Sequence, residues 1–181
     1  DDDFIMLSDN DEIPNLDSED FKKNKNDIVI FNQLFFYFKF NLLYDRMLWP
    51  GTKGCRKKNL KSFSWLRNIK FKKYPIWRID TYFSNTKYSN LNIINDGGWH
   101  FTNLKSPEDM FEKFMNFGHH DEFRLSGITI DKIKDKISKR EMFYDHFADK
   151  SSTNKWESDY KLQNIDLNLL PEYLINNKNK Y

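Results

Sequence analysis

The sequence lacks several residues and patterns that would make a function easy to read. A single cysteine, Cys55, excludes an internal disulfide framework and a Cys-rich zinc site. Ala148 is the only alanine and Val29 the only valine. No apolar run reaches the ~18 residues of a membrane-spanning helix. The most apolar stretch, residues 28–44, is interrupted by Asn32, Gln33, Lys39 and Asn41. The formal net charge is only +2, so no strong overall field draws the chain to nucleic acid. There is no phosphate-binding P-loop, no Gly-x-Gly-x-x-Gly and no Gly-x-Ser-x-Gly.

Aromatic residues are abundant: 17 Phe, 9 Tyr and 5 Trp make up 17% of the 181 residues. That load excludes a wholly disordered chain, and the length suits one domain with a real core. Lysine outnumbers arginine 23 to 6 and asparagine reaches 20. Phe, Tyr, Ile, Asn and Lys share AT-rich codons, so this excess carries no functional meaning.

Charge is unevenly spread. Residues 1–20 hold nine acids and no base, whereas residues 46–78 hold eleven bases and no acid, interleaved with Trp49, Phe63, Trp65, Phe71, Tyr74 and Trp77. The basic-aromatic stretch reads as a solvated face over buried aromatics. The alternative is a contact for phosphates or single-stranded nucleic acid.

The element pattern predicts mixed α and β structure. Phe4–Ser8 reads as a buried strand ending in an acidic turn, and a domain seldom opens on such a strand, so further elements are expected before it. Asp17 to Lys23 reads as a short helix capped by Asp17. Residues 27–44 read as strands with a bend, Ser62–Asn68 as a short helix, and Ile76–Tyr82 and Asn92–Asn95 as short strands. Trp99-His100-Phe101 follows a Gly97-Gly98 turn as an extended segment. Ser106-Pro107-Glu108-Asp109 opens a helix, with a capping serine, proline at the first helical position and acids in the first turn. Ile128, Ile130, Ile133 and Ile137 mark another helix, and Leu170 to Asn176 a last one. Residues 150–155 read as an exposed loop.

Several local patterns can carry chemistry. In Ser8-Asp9-Asn10-Asp11-Glu12, a strand delivers three carboxylates into one turn. Like charges so close repel, and a hard divalent cation such as Mg²⁺ or Mn²⁺ relieves the repulsion. In Asp96-Gly97-Gly98-Trp99-His100-Phe101, the glycines permit close backbone approach, and Trp99 and His100 offer a stacking face and a polar tip. Glu108 and Asp109, at a helix start soon after, include a candidate general base. Gly118-His119-His120-Asp121-Glu122 offers at most one metal-facing histidine. Cys55, beside Arg56, Lys57 and Lys58, reads as a free surface thiol with a lowered pKa.

The order of these blocks resembles glycosyltransferase family 17, the β-1,4-mannosyl-glycoprotein 4-β-N-acetylglucosaminyltransferases. Asp2-Asp3-Phe4-Ile5-Met6-Leu7-Ser8-Asp9-Asn10-Asp11-Glu12-Ile13-Pro14 is similar to the family's acidic strand-end block. Gly97-Gly98-Trp99-His100-Phe101 resembles its Gly-Gly-Trp-His-Phe, Pro75 to Arg78 its Pro-x-x-Arg, and Leu170-Pro171-Glu172-Tyr173-Leu174 with Asn177 its closing segment.

The resemblance implies a GT-A-like fold, a mixed sheet flanked by helices, here without its N-terminal βα units. Residues 1–181 would then form a single, partial catalytic domain. The implied function is metal-dependent, inverting transfer of a sugar, N-acetylglucosamine by expectation, from a UDP-sugar to a glycan hydroxyl. Mn²⁺ or Mg²⁺ would be held by Asp9 and Asp11, with His119 or else His120 as a further ligand. Asp9, Arg78, Gly97, Gly98, Trp99 and His100 would bind donor, and Glu108, with Asp109 second, would be the base. The setting would be cytoplasmic for a bacterial or viral protein and the Golgi lumen for a eukaryotic one. The rivals are a nucleic-acid-associated protein using residues 46–78 and a two-carboxylate metal phosphohydrolase.

Overall fold

The computed structural model describes residues 3–118, 120–148 and 153–180. In chain order the strands are β1 (Phe4–Leu7), β2 (Glu12–Pro14), β3 (Ile28–Tyr37), β4 (Leu42–Leu43), β5 (Trp49–Arg56), β6 (Leu91–Ile94), β7 (Gly98–Thr102) and β8 (Gln163–Asn164). The helices are α1 (Glu19–Lys22), α2 (Phe63–Asn68), α3 (Pro107–Asn116), α4 (His120–Leu125), α5 (Ile130–Lys139) and α6 (Glu172–Asn176). The fold is therefore mixed α/β, as the sequence predicts. The chain divides into two compact units, one holding residues up to Phe35 with Arg46–His100, the other Phe36–Asp45 with Phe101 onward.

The first unit is built on a mixed sheet. β5 pairs antiparallel with β1 on one side and with β3 on the other, and β3 pairs in parallel with β6. Val29, Ile30, Phe31, Cys55, Leu66, Leu91 and Ile94 are fully buried in it. Burying such side chains contributes roughly 1.5–3 kcal/mol each. β2 pairs antiparallel with β7, setting Glu12 opposite His100, Ile13 opposite Trp99 and Pro14 opposite Gly98. Ser62 caps α2 by accepting from the Trp65 amide at 3.0 Å.

The second unit packs its helices around aromatic rings. Phe114 and Phe123 lie 5.2 Å apart, and Phe143 stacks on Trp156 at 6.2 Å. Ser106 caps α3 as predicted: its Oγ accepts from the Asp109 amide at 3.1 Å and donates to Asp109 Oδ2 at 2.8 Å. α5 ends at Arg140, which adopts the left-handed conformation with φ 57°. Buried Lys136 pairs with Glu141 and Asp159.

Several expectations are corrected. α1 begins after Ser18, not Asp17, and has no side-chain cap. β1 is half-buried rather than buried, and among the described residues it sits at the end of the strand order, paired with β5. β5 has no counterpart in the predicted elements. Ile76–Tyr82 is not a strand: the amides of Arg78, Thr81 and Tyr82 donate to Pro75, Arg78 and Ile79 carbonyls, closing tight turns that use up the backbone groups a ladder needs. Of the six aromatics of residues 46–78 only Tyr74 is buried, Trp49 and Trp65 are half-buried, and Phe63, Phe71 and Trp77 are exposed, so the face is not laid over buried aromatics throughout. Cys55 is buried, and burial pushes its thiol pKa up rather than down. Of the predicted loop 150–155, residues 150–152 lie outside the described residues, and Lys155 is buried in an ion pair with Glu122.

Candidate functional site

The acidic turn joins β1 to β2 and closes on itself. The Glu12 amide donates to the Asp9 carbonyl at 3.1 Å, and the Asp9 amide donates to Glu12 Oε2 at 3.1 Å. Because β2 lies against β7, the turn meets the Gly-Gly-Trp-His-Phe block directly. Asp11 Oδ2 stands 3.3 Å from His100 Nε2. His100 is buried, its ring stacked on Trp49 at 4.4 Å with planes 8° apart, and Phe35 covers it at 4.9 Å. The ring thus has little freedom, and Asp11 faces a fixed partner.

Glu12 turns the other way, toward β5. Its Oε1 accepts from Trp49 Nε1 at 3.0 Å and its Oε2 from Thr52 Oγ1 at 3.5 Å, while Thr52 and Ser8 share a 2.6 Å hydroxyl contact. Burial pushes the Glu12 carboxyl above the usual carboxylate range, and the charges of Asp9 and Asp11 push the same way. The Trp49 and Asp9 hydrogen bonds oppose the rise without cancelling it. Arg67 from α2 pairs with Asp9. Lys53 Nζ donates to the carbonyls of Ile69, at 2.7 Å, and Arg67. Burial lowers the Lys53 pKa, with Glu12 pulling it back up. A cleft of about 180 Å³ opens here, lined by Asp9, Glu12, Trp49, Gly51, Lys53 and Arg67.

Asp9 and Asp11 remain accessible at side-chain exposures of 51% and 32%. Among the described residues, no three or more His, Cys, Asp or Glu converge as a closed cation cage. A Mg²⁺-type ion carried in by phosphate needs only one or two protein carboxylates, because substrate oxygens and water complete its shell. The hard oxygens of Asp9 and Asp11 fit that smaller demand.

The remaining predicted residues fall elsewhere. Gly97 and Gly98 serve the chain's own strands: a Cβ at Gly97 would stand 2.4 Å from the Asn32 amide nitrogen, and one at Gly98, with φ +103°, 2.2 Å from the Ile13 carbonyl oxygen. Trp99 is half-buried opposite Ile13. Arg78 is committed to Asp80 at 2.6 Å and lies over the Tyr74 ring, with no contact to the acidic turn among the described residues. Glu108 and Asp109 belong to α3 in the second unit. Glu108 is exposed and bound by Lys134 at 2.7 Å, which holds its carboxyl below the usual range. His119 lies outside the described residues, and His120 starts α4 with Nδ1 3.1 Å from the Phe117 carbonyl oxygen.

Trp49, Thr52, Lys53 and Arg67 were not among the site residues that the sequence predicts. Trp49, Lys53 and Arg67 sit in the basic-aromatic stretch, for which phosphate contact was the alternative reading. Thr52 carries no sequence signal, because its place depends on β5 being a strand. In comparisons with family models, curated proteins and solved structures, nothing matches this chain.

Proposed function

We propose that the acidic turn is the diphosphate end of a nucleotide-sugar site, and that the chain acts in metal-assisted, inverting glycosyl transfer from a UDP-linked donor within a GT-A-like architecture. The observation that carries the reading is the meeting of two separate sequence blocks, with Asp11 3.3 Å from His100 across β2 and β7. The turn also follows the carboxyl end of β1, the end of a strand where open α/β sheets take ligands.

Mn²⁺ or Mg²⁺ bound by Asp9 and Asp11 would supply positive charge for a departing diphosphate. The protein's own groups do the rest of the work at this end. Arg67 and Lys53 bring fixed cations to the cleft, where phosphate oxygens can accept their hydrogen bonds. His100, stacked on Trp49 and packed against Phe35, orients the Asp11 carboxylate. Glu12 is held by the Trp49 indole and the Thr52 hydroxyl, which fixes the β2 side of the cleft.

Transfer with inversion also needs a base for the acceptor hydroxyl. The family resemblance assigns that role to Glu108, with Asp109 second. The Lys134 ion pair makes Glu108 a weaker base than a free glutamate.

The cleft volume of about 180 Å³ falls below the roughly 300–1,000 Å³ of sites that bury a whole ligand, so weak affinity for UDP is the expected outcome. Calorimetric titration with UDP and Mn²⁺ tests the reading. The expected result is Mn²⁺-dependent binding with a Kd of roughly 0.1–1 mM, abolished by Asp11→Asn. Absence of metal-dependent UDP binding, together with tight binding of an oligonucleotide, overturns it in favour of nucleic-acid association.

A further inference from the structure

Five large apolar side chains stand in solvent within one short segment of the first unit. Ile76, Trp77, Ile79, Tyr82 and Phe83 are between 69 and 86% exposed. The segment is nevertheless well anchored. Tyr74 is buried at its root, and its amide donates to the Tyr88 carbonyl at 3.3 Å. Successive turns fold residues 75–84 back on themselves, and Tyr82 Oη donates to the Ile76 carbonyl at 3.1 Å. The apolar groups are therefore displayed by a built loop.

A ring of cations surrounds the root. Arg78, Lys72 and Lys87 lie 5.2, 5.8 and 5.8 Å from the centre of the Tyr74 ring. Such positions over an aromatic face are attractive. Between residues 70 and 87 there are five bases and one acid. That acid, Asp80, is neutralised by Arg78 at 2.6 Å and Lys87 at 2.8 Å.

We infer that residues 75–83 form an insertion loop for an anionic lipid surface. An apolar tip above a cationic collar matches the cross-section of a bilayer face. Isoleucine and phenylalanine enter the acyl boundary, Trp77 and Tyr82 sit at the level where amphipathic rings are favoured, and lysine and arginine meet anionic headgroups. The collar also selects among possible occupants. A second copy of the chain would set one cationic collar against another, which repels. Single-stranded nucleic acid could stack on Trp77, Tyr82 and Phe83 but would leave Ile76 and Ile79 in water, whereas a lipid surface takes up all five.

Flotation of the chain with phosphatidylcholine vesicles, with and without phosphatidylglycerol, tests the inference. The anionic vesicles should carry at least about tenfold more protein, and added salt should reduce the difference. The Trp77→Ser, Phe83→Ser double variant should lose about tenfold in partition while keeping its near-ultraviolet circular dichroism. Trp77→Phe should still bind anionic vesicles but lose much of the fluorescence quenching by brominated acyl chains, because Trp77 is the tryptophan at the tip. Equal partition to both vesicles, no partition at all, or wild-type partition by the double variant overturns the inference. So does a concentration-dependent dimer that the double variant abolishes while vesicles stay bare, which would assign the face to a second copy.

Discussion

Asp11, in the turn just before β2, faces His100 of β7, Oδ2 to Nε2 at 3.3 Å, and this contact ties the acidic turn to the glycine-rich block. Asp11→Ala removes one proposed cation ligand and one contact to a buried ring. Metal-dependent UDP binding should disappear, while chemical denaturation should show a loss of only about 1 kcal/mol. A loss of several kcal/mol would make Asp11 a structural residue first.

Glu12 makes stability depend on pH in an unusual direction for a carboxylate. Its folded pKa is raised above the ordinary value of 4.5, so the folded state favours the protonated form. The stability linked to this group is full below the unfolded pKa and is lost as pH rises through the folded pKa. Glu12→Gln removes the titration. Its melting temperature relative to wild type should therefore climb as pH rises above the ordinary carboxylate range and level off once Glu12 is ionised in the folded state too. A difference that stays flat with pH would show that Glu12 titrates normally.

For the proposed base, Glu108→Gln should lower the transfer rate by roughly 10²–10⁴ with donor binding unchanged, and Asp109→Asn should do less. Lys134 supplies a sharper readout. Its ion pair is the leading cause of the low Glu108 pKa, so Lys134→Met should move the acidic limb of the pH–rate profile to higher pH. An unmoved limb assigns the proton to another group, and a dead Asp109→Asn beside an active Glu108→Gln moves the base by one residue.

Gly51 has no room to grow. A Cβ there would come 2.0 Å from Gln33 Oε1 and 3.2 Å from the Glu12 carboxyl carbon. Gln33 is fully buried, so its amide has nowhere to swing. Gly51→Ala should cost about 1–3 kcal/mol in a denaturation experiment and should disturb Glu12 as well.

Arg140 offers a change in the opposite direction. It ends α5 in the left-handed conformation, where a side chain is strained and glycine is not. Arg140→Gly should raise stability by about 0.5–1 kcal/mol, read as a higher denaturation midpoint.

The cap expected at Asp17 does not form, and the Ser62 cap of α2 is not among the predicted signals. α3 was the most legible helix, because Ser106 caps it through a local hydrogen bond that depends only on neighbouring residues. The mixed α/β class and β6 were legible for a similar reason, since short Ile- and Leu-rich runs bury themselves in a sheet. β5 was not legible. Its sequence, Trp-Pro-Gly-Thr-Lys-Gly-Cys-Arg, has no alternation and carries two glycines and a proline. The glycines are there because neighbouring strands send large groups across them: a Cβ at Gly54 would meet Phe4 at 2.9 Å and Val29 at 3.2 Å. Strand identity at β5 is thus a property of its neighbours, and a local pattern cannot show it. The same reason hid part of the site. Asp9, Asp11 and His100 stood out by type and spacing, but Trp49 and Lys53 meet Asp9 at the cleft only once β5 is paired. The exposed loop at residues 75–83 misled in the other direction, because its apolar residues carry the mark of a strand while its backbone bonds close on themselves.

The burial of Cys55 gives the molecule an internal clock. The residue lies in the interior of β5, with Ile5 of the edge strand on one side and Ile28 on the other. A thiol-specific reagent in excess can reach it only when that neighbourhood opens. The labelling rate then equals the opening rate when reclosing is slow, and the opening equilibrium times the intrinsic thiol reactivity when reclosing is fast. Since there is no other cysteine, each modified molecule records one such excursion, and the time course reads how often the sheet parts beside β5 under native conditions.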